Sequence, residues 1–373
     1  MSDSRELPCR RCGAPLTFQP GVGKLVCPFC GTSNEIKGSG RVVSPWGVRI
    51  GADTGITERD FEQALRTLAE AGEIEETAAL GCPGCGAQVS LDATTLAANC
   101  PFCDTPLARA AKATHRHPRP QAVLPFAITE PEARGRMKRW LGSLWFAPSK
   151  LKKYAQSGRP LSGVYLPHYT YDAEGEADYT GQRGDAYYVT RTRMVDGKMQ
   201  TYQQRRVRWM PAAGRVRHAF DDVLVPASGN AGAGRPEYGG RSWDLVALEA
   251  YRTEYLAGFR AEMPTLGLDE GFVQASQVME GVLSDEVRAD IGGDEQRITS
   301  MQSRFSDITF KHVLLPVWLA SYRFRDRVFQ VAINGRTGEV TGERPYSTIK
   351  IAIAVVLALI ALGVVGYVAA ITR

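Results

Sequence analysis

The most apolar stretch of the chain is 351–371, which carries no charged residue and ends just before Thr372 and Arg373. As an α-helix rising about 1.5 Å per residue it would be about 31 Å long, close to the roughly 30 Å hydrocarbon core of a bilayer. The pattern therefore predicts one C-terminal transmembrane helix. Arg344 and Lys350 precede it, which predicts a single-pass, tail-anchored protein of the inner (cytoplasmic) membrane with its N-terminus and soluble domains in the cytosol.

Before this run, apolar positions follow helical or strand-like spacing. Helical spacing occurs at 57–71, 129–147, 244–261 and 269–291. Alternating or β-branched runs occur at 163–171, 187–195, 199–209, 298–310, 312–324, 327–333 and 338–342. Thr129 and Glu132 form a capping box, and Asp196-Gly197 is a hairpin turn signal. Together these elements predict an α+β domain with antiparallel sheets.

Cysteine usage adds a second kind of pattern to the first part of the chain. All eight cysteines lie in Cys-x-x-Cys pairs, with Cys9, Cys12, Cys27 and Cys30 in one module and Cys82, Cys85, Cys100 and Cys103 in another. The modules share their spacing and the Pro-Phe of the second pair, so they are an internal duplication. Two Cys-x-x-Cys turns can place four thiolates tetrahedrally around one ion. The spacing predicts two small tetra-cysteine zinc ribbons, each holding Zn²⁺.

Four thiolates close a zinc site, so both metals are expected to be structural rather than catalytic. Rubredoxin-like iron and Cys-x-x-Cys redox pairs are the alternatives that the residues leave open. Gly13, Gly31, Gly86 and Asp104 follow the second cysteine of each turn, where a positive φ is expected. A reducing cytosol favours metal binding over disulfides for such clusters.

These patterns predict an α+β multidomain protein. The predicted units are zinc ribbon 1 at 1–40, a connector with a short helix at 41–80, zinc ribbon 2 at 81–110, a basic and proline-containing linker at 111–120, the α+β domain at 121–345 and the transmembrane helix at 351–371. Tyr165-Leu-Pro-His168 resembles Leu314-Leu-Pro-Val-Trp318, which suggests two related halves in the α+β domain. The 44% of hydrophobic residues suffices for such cores.

Positive charge is concentrated in the predicted hairpin rather than spread over the chain, whose net charge is +5. Nine basic residues against two acidic ones lie between 183 and 217: Arg183, Arg191, Arg193, Lys198, Arg205, Arg206, Arg208, Arg215 and Arg217. Tyrosines and Trp209 lie among them. This mixture suits single-stranded nucleic acid or anionic lipid head groups. A solvated sheet face whose arginines protect an edge is the third interpretation.

Motifs for catalysis are missing from the sequence. There is no G-x-x-x-x-G-K-[ST] loop, G-x-S-x-G elbow or H-E-x-x-H helix, and no cysteine outside the two modules. His168 and His312 are predicted to be structural, and His115 and His117 to be linker residues. The sequence thus predicts a protein that is not an enzyme, with no catalytic residues and no small-molecule substrate.

Several motifs resemble those of bacterial zinc-ribbon membrane proteins of the transcription-factor-IIB-type finger class. They are the paired Cys-x-x-Cys ribbons, Gly163-Val-Tyr-Leu-Pro167, Leu314-Leu-Pro-Val-Trp318, Val331-Ala-Ile-Asn-Gly-Arg-Thr-Gly338 and the final helix. Members often carry the label primosomal protein N′ (replication factor Y) or superfamily II helicase. The resemblance implies a role beside SPFH-domain and phage-shock-type membrane-stress proteins.

Sequence and resemblance together lead to one expected function. The chain is expected to be a non-enzymatic, membrane-anchored zinc-ribbon scaffold that recruits cytosolic protein partners to the lipid bilayer. The alternative is a membrane-tethered nucleic-acid-binding protein without helicase motor motifs, which would use the basic residues of the hairpin.

Overall fold

The architecture is taken from a computed structural model, which describes residues 7–36, 56–70, 74–90, 98–107, 112–144, 161–195, 198–229, 243–324, 327–342 and 347–371. The described part of the chain contains four α-helices: α1 (Phe61–Glu70), α2 (Glu130–Ser143), α3 (Leu268–Ile291) and α4 (Thr348–Ile371). Its strands up to residue 123 are β1 (Thr17–Gln19), β2 (Lys24–Val26), β3 (Ser33–Asn34), β4 (Arg59–Asp60), β5 (Ile74–Gly81), β6 (Gln88–Ser90), β7 (Ala98–Asn99), β8 (Pro106–Leu107), β9 (Lys112–Pro118) and β10 (Ala122–Val123). The later strands are β11 (Ser162–Val195), β12 (Lys198–Pro226), β13 (Glu249–Ala250), β14 (Arg260–Ala261), β15 (Glu295–Phe324), β16 (Arg327–Asn334) and β17 (Val340–Gly342).

A nine-stranded sheet is the centre of the described chain, and its main path runs in the order β12-β11-β15-β10-β13. Most neighbours are antiparallel, as expected, but β10 runs parallel to β15 and β14 parallel to β11. The sheet is therefore mixed rather than purely antiparallel. Three small sheets accompany it: β1-β2-β3, β6-β5-β9 and β7-β8.

Two strands of the large sheet are much longer than the sequence predicts. β11 has 34 residues and β15 has 30, whereas the pattern divided each into shorter strands. Register shifts at Tyr171/Ala173 and at Asp172/Glu174 let β11 bend without ending. The two similar Leu-Pro motifs lie opposite each other in this pair, with Pro167 beside Leu314 and Tyr165 beside Pro316.

Helix α3 confirms the helical spacing read from 269–291. Its buried stripe includes Ala275, Met279, Leu283 and Val287, which pack on one face of β11, β12 and β15. The same face of β11 contributes Tyr169, Tyr171 and Ala177 to this core. The helix ends at Gly292, whose φ of 65° lies in the left-handed region that glycine adopts easily.

Two other predicted segments fold differently. Where the sequence predicts a helix at 244–261, the chain forms two short 3-10 turns and the strands β13 and β14. Sheet pairing replaces the helix because β13 pairs with β10 and β14 with β11, and Gly258 takes a φ of +84°. The segment predicted as a linker at 111–120 forms β9, which pairs along β5.

The C-terminal segment does form a helix, α4, and most of its described side chains are apolar and exposed. Across the residues that the structure describes, however, no helix is both long and apolar enough to cross a membrane. This finding contradicts the predicted transmembrane helix at 351–371, the tail anchor and the inner-membrane localisation.

Candidate metal centres and basic hairpin

The four Cys-x-x-Cys turns share one backbone geometry. In each turn, the residue after the second cysteine donates its N–H to the carbonyl of the first cysteine, over 2.8 to 3.0 Å. These residues are Gly13, Gly31, Gly86 and Asp104, and their φ angles are 75°, 70°, 75° and 60°. The positive φ expected at these positions is therefore present in all four turns.

In ribbon 1 the four sulfurs converge. The Sγ atoms of Cys9 and Cys30 lie 3.6 Å apart and those of Cys12 and Cys27 lie 3.5 Å apart. Around them, the backbone N–H of Arg11 donates to Cys9 Sγ over 3.4 Å, and Thr32 Oγ1 lies 3.2 Å from Cys30 Sγ. Hydrogen bonds to sulfur stabilise the thiolate form that binds a metal.

Ribbon 2 repeats this arrangement with matching partners. The Sγ–Sγ distances are 3.3 Å for Cys82 and Cys103 and 3.6 Å for Cys85 and Cys100. The N–H of Gly84 donates to Cys82 Sγ over 3.4 Å, and Thr105 Oγ1 lies 3.1 Å from Cys103 Sγ. Both the sulfur set and its hydrogen bonds are thus duplicated.

Both clusters fit a tetrahedral metal ion. Within each, all four sulfurs lie within 4.8 Å of one another, and Zn–S bonds of about 2.3 Å require sulfurs about 3.8 Å apart. One thiol in each cluster also has a depressed pKa. The hydroxyl and backbone of Thr32 lower the pKa of Cys30 to about 6, and hydrogen bonding with Cys100 and Ala87 lowers that of Cys85 to about 5. The protein therefore has two tetra-cysteine clusters that can each hold a metal ion.

The surroundings of the two clusters differ, although their cores are alike. Phe102, in the Pro-Phe of ribbon 2, is 1% exposed and packs with Val164, Val317 and Ala332 of the large sheet. Its carbonyl accepts hydrogen bonds from Ser321 Oγ and from the Gln330 side-chain amide. This turn is consequently part of the core.

Ribbon 1 attaches to the rest of the chain through its strands instead. Phe18 of β1 donates its N–H to the Ala257 carbonyl and packs edge-on against Tyr255, with ring centres 5.4 Å apart. The Pro-Phe turn lies on the outside, where Phe29 is 76% exposed and Cys12 is exposed as well. The Pro-Phe turn of ribbon 1 therefore faces solvent.

The basic residues of the hairpin belong to two groups. Arg215 and Arg217 of β12 face Asp178 and Glu176 of β11, and Arg304 of β15 completes this network of cross-strand ion pairs. Arg183 pairs with Asp185, and Arg205 with Glu295. For these four hairpin arginines the structure agrees with a solvated sheet face held by ion pairs.

The remaining basic residues of the hairpin are Arg191, Arg193, Lys198, Arg206 and Arg208. None of the five forms an ion pair with a residue that the structure describes. Two lie over tyrosine rings: Arg193 is 5.5 Å from the ring centre of Tyr202, and Arg208 is 5.6 Å from that of Tyr187. The turn residues Asp196 and Gly197 lie outside the described residues.

Sequence reasoning missed a charged cluster around the buried Lys311, at the bend of the long strands. Lys311 Nζ lies 2.8 Å from Asp222, 3.0 Å from Glu58 and 3.8 Å from Asp172. Burial alone would lower the pKa of Lys311, but the ion pairs raise it, while burial raises the pKa of Asp172 to about 6. Only pairing of distant strands brings these residues together, so no local pattern could have revealed them.

The histidines also come together in an unexpected way. His117, predicted to be in a linker, is buried against His312, with ring centres 6.2 Å apart. The Nδ1 atom of His312 lies 2.8 Å from the Pro118 carbonyl, and burial lowers the pKa of His312 to about 3 and that of His168 to about 4. The side chain of His115 lies outside the described residues.

Comparison with known proteins adds one relative. Uncharacterized protein YdjG of Bacillus subtilis (strain 168) is 25% identical over 249 residues, which are 63% of this chain and 67% of that protein. No family model matches the chain, and no solved structure matches it.

Proposed function

We propose that the protein is a non-enzymatic adaptor that recruits a protein partner through the exposed Pro-Phe turn of ribbon 1. The observation that carries the proposal is the contrast between Phe29, which is 76% exposed, and its duplicate Phe102, which is 1% exposed. A large aromatic side chain on a rigid turn supplies contact area at low entropic cost, which is typical of interface anchors.

The metal proposed for both clusters is zinc. Four thiolates at tetrahedral spacing suit Zn²⁺ and leave no open coordination position, so each ion would hold its turns in place without activating water. A metal-fixed turn would present Phe29 in one orientation, which lowers the cost of ordering it on binding.

Ribbon 2 provides a template for the partner surface. There, the Pro-Phe turn lies on a sheet, with the phenyl ring among aliphatic side chains and the Phe102 carbonyl accepting from Ser321 and Gln330. A partner for ribbon 1 would offer the same chemistry, namely an apolar pocket rimmed by hydroxyl or amide donors. The exposed Arg10 and Arg11 beside Cys12 favour an acidic margin on that partner. An SPFH-domain or phage-shock-type protein is the partner class that the family resemblance implies.

In-cell cross-linking of the full chain tests this function. Phe29→Ala should reduce recovery of the cross-linked protein by at least about thirtyfold, the effect of losing an interface anchor worth about 2 kcal/mol or more. Val278→Ala, which removes an exposed apolar side chain from α3, is the matched control and should recover the partner like the wild type.

Two results would contradict the adaptor proposal. One is equal recovery of the same proteins by the wild type and by Phe29→Ala. The other is wild-type protein that captures nucleic acid but no protein. Metal analysis of both variants, expected to give two ions per chain, checks that ribbon 1 remains intact.

A further inference from the structure

The outer part of the β11-β12 hairpin projects beyond the rest of the sheet. Pairing of β11 with β15 ends at Gly184 and Glu295, whereas pairing with β12 continues to Val195 and Lys198. From Asp185 onward the hairpin is therefore a two-stranded ribbon. Helix α3 covers one face of the sheet and ends at Ile291, and past the helix most of the described side chains on this face of the hairpin are exposed.

The pairing register determines which side chains share that face. Directly opposed residues lie on the same face, and alternate residues follow each other along it. The register pairs Asp185 with Arg208, Tyr187 with Arg206, Val189 with Gln204, Arg191 with Tyr202, Arg193 with Gln200 and Val195 with Lys198. All five basic residues without a described ion pair therefore lie on this one face, which we call the basic face.

The opposite face of the ribbon has another character. It carries the opposed pair Met194 and Met199, which are 72% and 75% exposed, together with Tyr188, Thr190 and Thr192. Cations that anchor a protein to lipid accompany apolar side chains that enter the bilayer from the same surface. Here the most exposed apolar side chains of the ribbon, the two methionines, point away from the basic face, and the tyrosines of the basic face lie against arginine guanidinium groups. The arrangement therefore favours an anionic polymer over a lipid surface.

The paired arginines show that the basic face is not simply a solvated sheet. Arg215 and Arg217 lie on the same hairpin, and each has an acidic residue opposite it on β11. Along the basic face, the opposed positions are occupied by tyrosine, glutamine or valine, with Asp185 as the exception. Five cations on one face repel each other unless an anion binds them.

We infer that the basic face binds duplex DNA through the major groove, with its five cations on the phosphates. The roughly 12 Å width of this groove in B-form DNA admits a two-stranded β-ribbon, whereas the deep, narrow major groove of A-form RNA does not. Alternate residues along a strand lie about 6.8 Å apart, so the face tracks the groove over several base pairs. Gln200 and Gln204, between the cations, supply amides of the kind that contact base edges.

Fluorescence anisotropy tests the inference. The full chain is titrated against a labelled DNA duplex of random sequence, about 20 base pairs long, over a range of salt concentrations. Each lost phosphate contact lowers the slope of log K against log salt by about 0.9. Arg206→Gln with Arg208→Gln should therefore reduce the slope by about 2 and weaken binding. The matched control, Arg215→Gln with Arg217→Gln, removes the same charge from the same strand and should keep the wild-type slope.

Three results would overturn the inference. The first is an equal loss of binding or slope in the two double variants. The second is equally tight binding of a single strand or an RNA duplex of the same length, which would exclude the major groove of DNA. The third is wild-type binding to vesicles containing about 30% phosphatidylserine with none to the duplex. All four arginines are exposed, and circular dichroism of both variants confirms that the sheet is retained.

Discussion

The two tetra-cysteine ribbons have the same cysteine spacing and the same turns, but they are placed differently in the protein. In ribbon 2, Phe102 and the cysteines around it belong to a core that the large sheet completes. In ribbon 1, Cys9 and Cys27 also join a core cluster with the sheet, but Phe29 remains outside. The comparison teaches that a tetra-cysteine cluster determines the shape of its turns but not their role. Whether the aromatic residue of the turn is buried in the core or stays exposed depends on the surface that lies next to the turn.

The largest expected effect is on thermal stability, and it tests whether the two clusters are coupled to the sheet to different degrees. Cys100→Ser should remove one metal ion and lower the melting temperature of the whole sheet, because structural zinc contributes about 10 to 16 kcal/mol and Cys100 is buried beside the sheet core. Cys27→Ser, the equivalent change in ribbon 1, should also remove one ion but should perturb the sheet less, since the phenyl ring of its turn lies in solvent and not in the sheet core. Metal content and thermal unfolding by circular dichroism check both. Identical melting of the two variants would show that the ribbons are equally coupled.

A smaller effect is expected from the duplicated phenylalanines. Phe102→Ala should lower the free energy of unfolding by about 3 to 5 kcal/mol, the usual cost of deleting a buried phenyl ring. Phe29→Ala should change it by less than about 0.5 kcal/mol, because the side chain is exposed. Urea unfolding of both variants at constant zinc concentration measures the difference, and similar costs would contradict the placement of ribbon 1.

The junction of ribbon 2 with the sheet should also respond to pH. Glu262 lies beside Val89 of β6 and donates its N–H to the Tyr165 carbonyl; burial raises the pKa of its carboxyl group from 4.5 to about 8. Since the folded state holds this proton more tightly than the unfolded state, the stability that Glu262 contributes is fully present below about pH 4.5 and is lost as pH rises through about 8. This contribution to the free energy of unfolding should fall by about 1.4 kcal/mol per pH unit as pH rises from about 5 to 8.

Glu262→Gln provides the control for that pH dependence. The amide keeps the shape of the protonated carboxyl group and its partner Ser228, but it cannot ionise. Its unfolding free energy, measured by urea titration at several pH values, should lack the decrease seen in the wild type. A wild-type profile that rises between about pH 5 and 8, with no difference in the variant, would show that the carboxyl group is ionised in the folded protein.

The smallest expected effect compares the residues after the last cysteine of each module. Gly31→Ala should cost about 1 kcal/mol because its φ of 70° is unfavourable for any side chain, although no atom lies within 4 Å of the added carbon. Asp104→Gly should be nearly neutral, since relief of the same strain offsets the lost hydrogen bond from Asn99. Urea unfolding measures both changes, and a larger cost for Asp104→Gly would reverse the comparison.

Local sequence determines the parts of this structure that could be predicted. The cysteine spacing identifies both clusters, because four ligands in two short turns leave little freedom for the intervening chain. The hairpin around Asp196-Gly197 and the helix α3 follow from turn residues and from a regular apolar stripe. Each of these features depends on residues that lie close together in the sequence.

Features that depend on distant residues could not be predicted. The apolar positions within 244–261 are spaced as in a helix, yet their backbone pairs with β10 and β11. Lys311 meets Glu58 only after the strands have paired, and nothing around Phe29 or Phe102 distinguishes core from surface. At 351–371, the apolar run correctly predicts a helix. The prediction that this helix crosses a membrane is wrong, because no helix among the described residues is long and apolar enough to do so.

The pairing of β11 with β15 has a consequence for the order of folding. Ser162 pairs with Leu319, so this part of the sheet can form only after the long intervening chain has been synthesised. Contacts of such large sequence separation are slow to form. Both tetra-cysteine clusters, however, are complete by Cys103 and can bind metal while the remaining chain is still being made. Phe102 of ribbon 2 would then remain exposed until β15 has been synthesised and has paired with β11. During that interval its apolar surface would be available to chaperones or to aggregation.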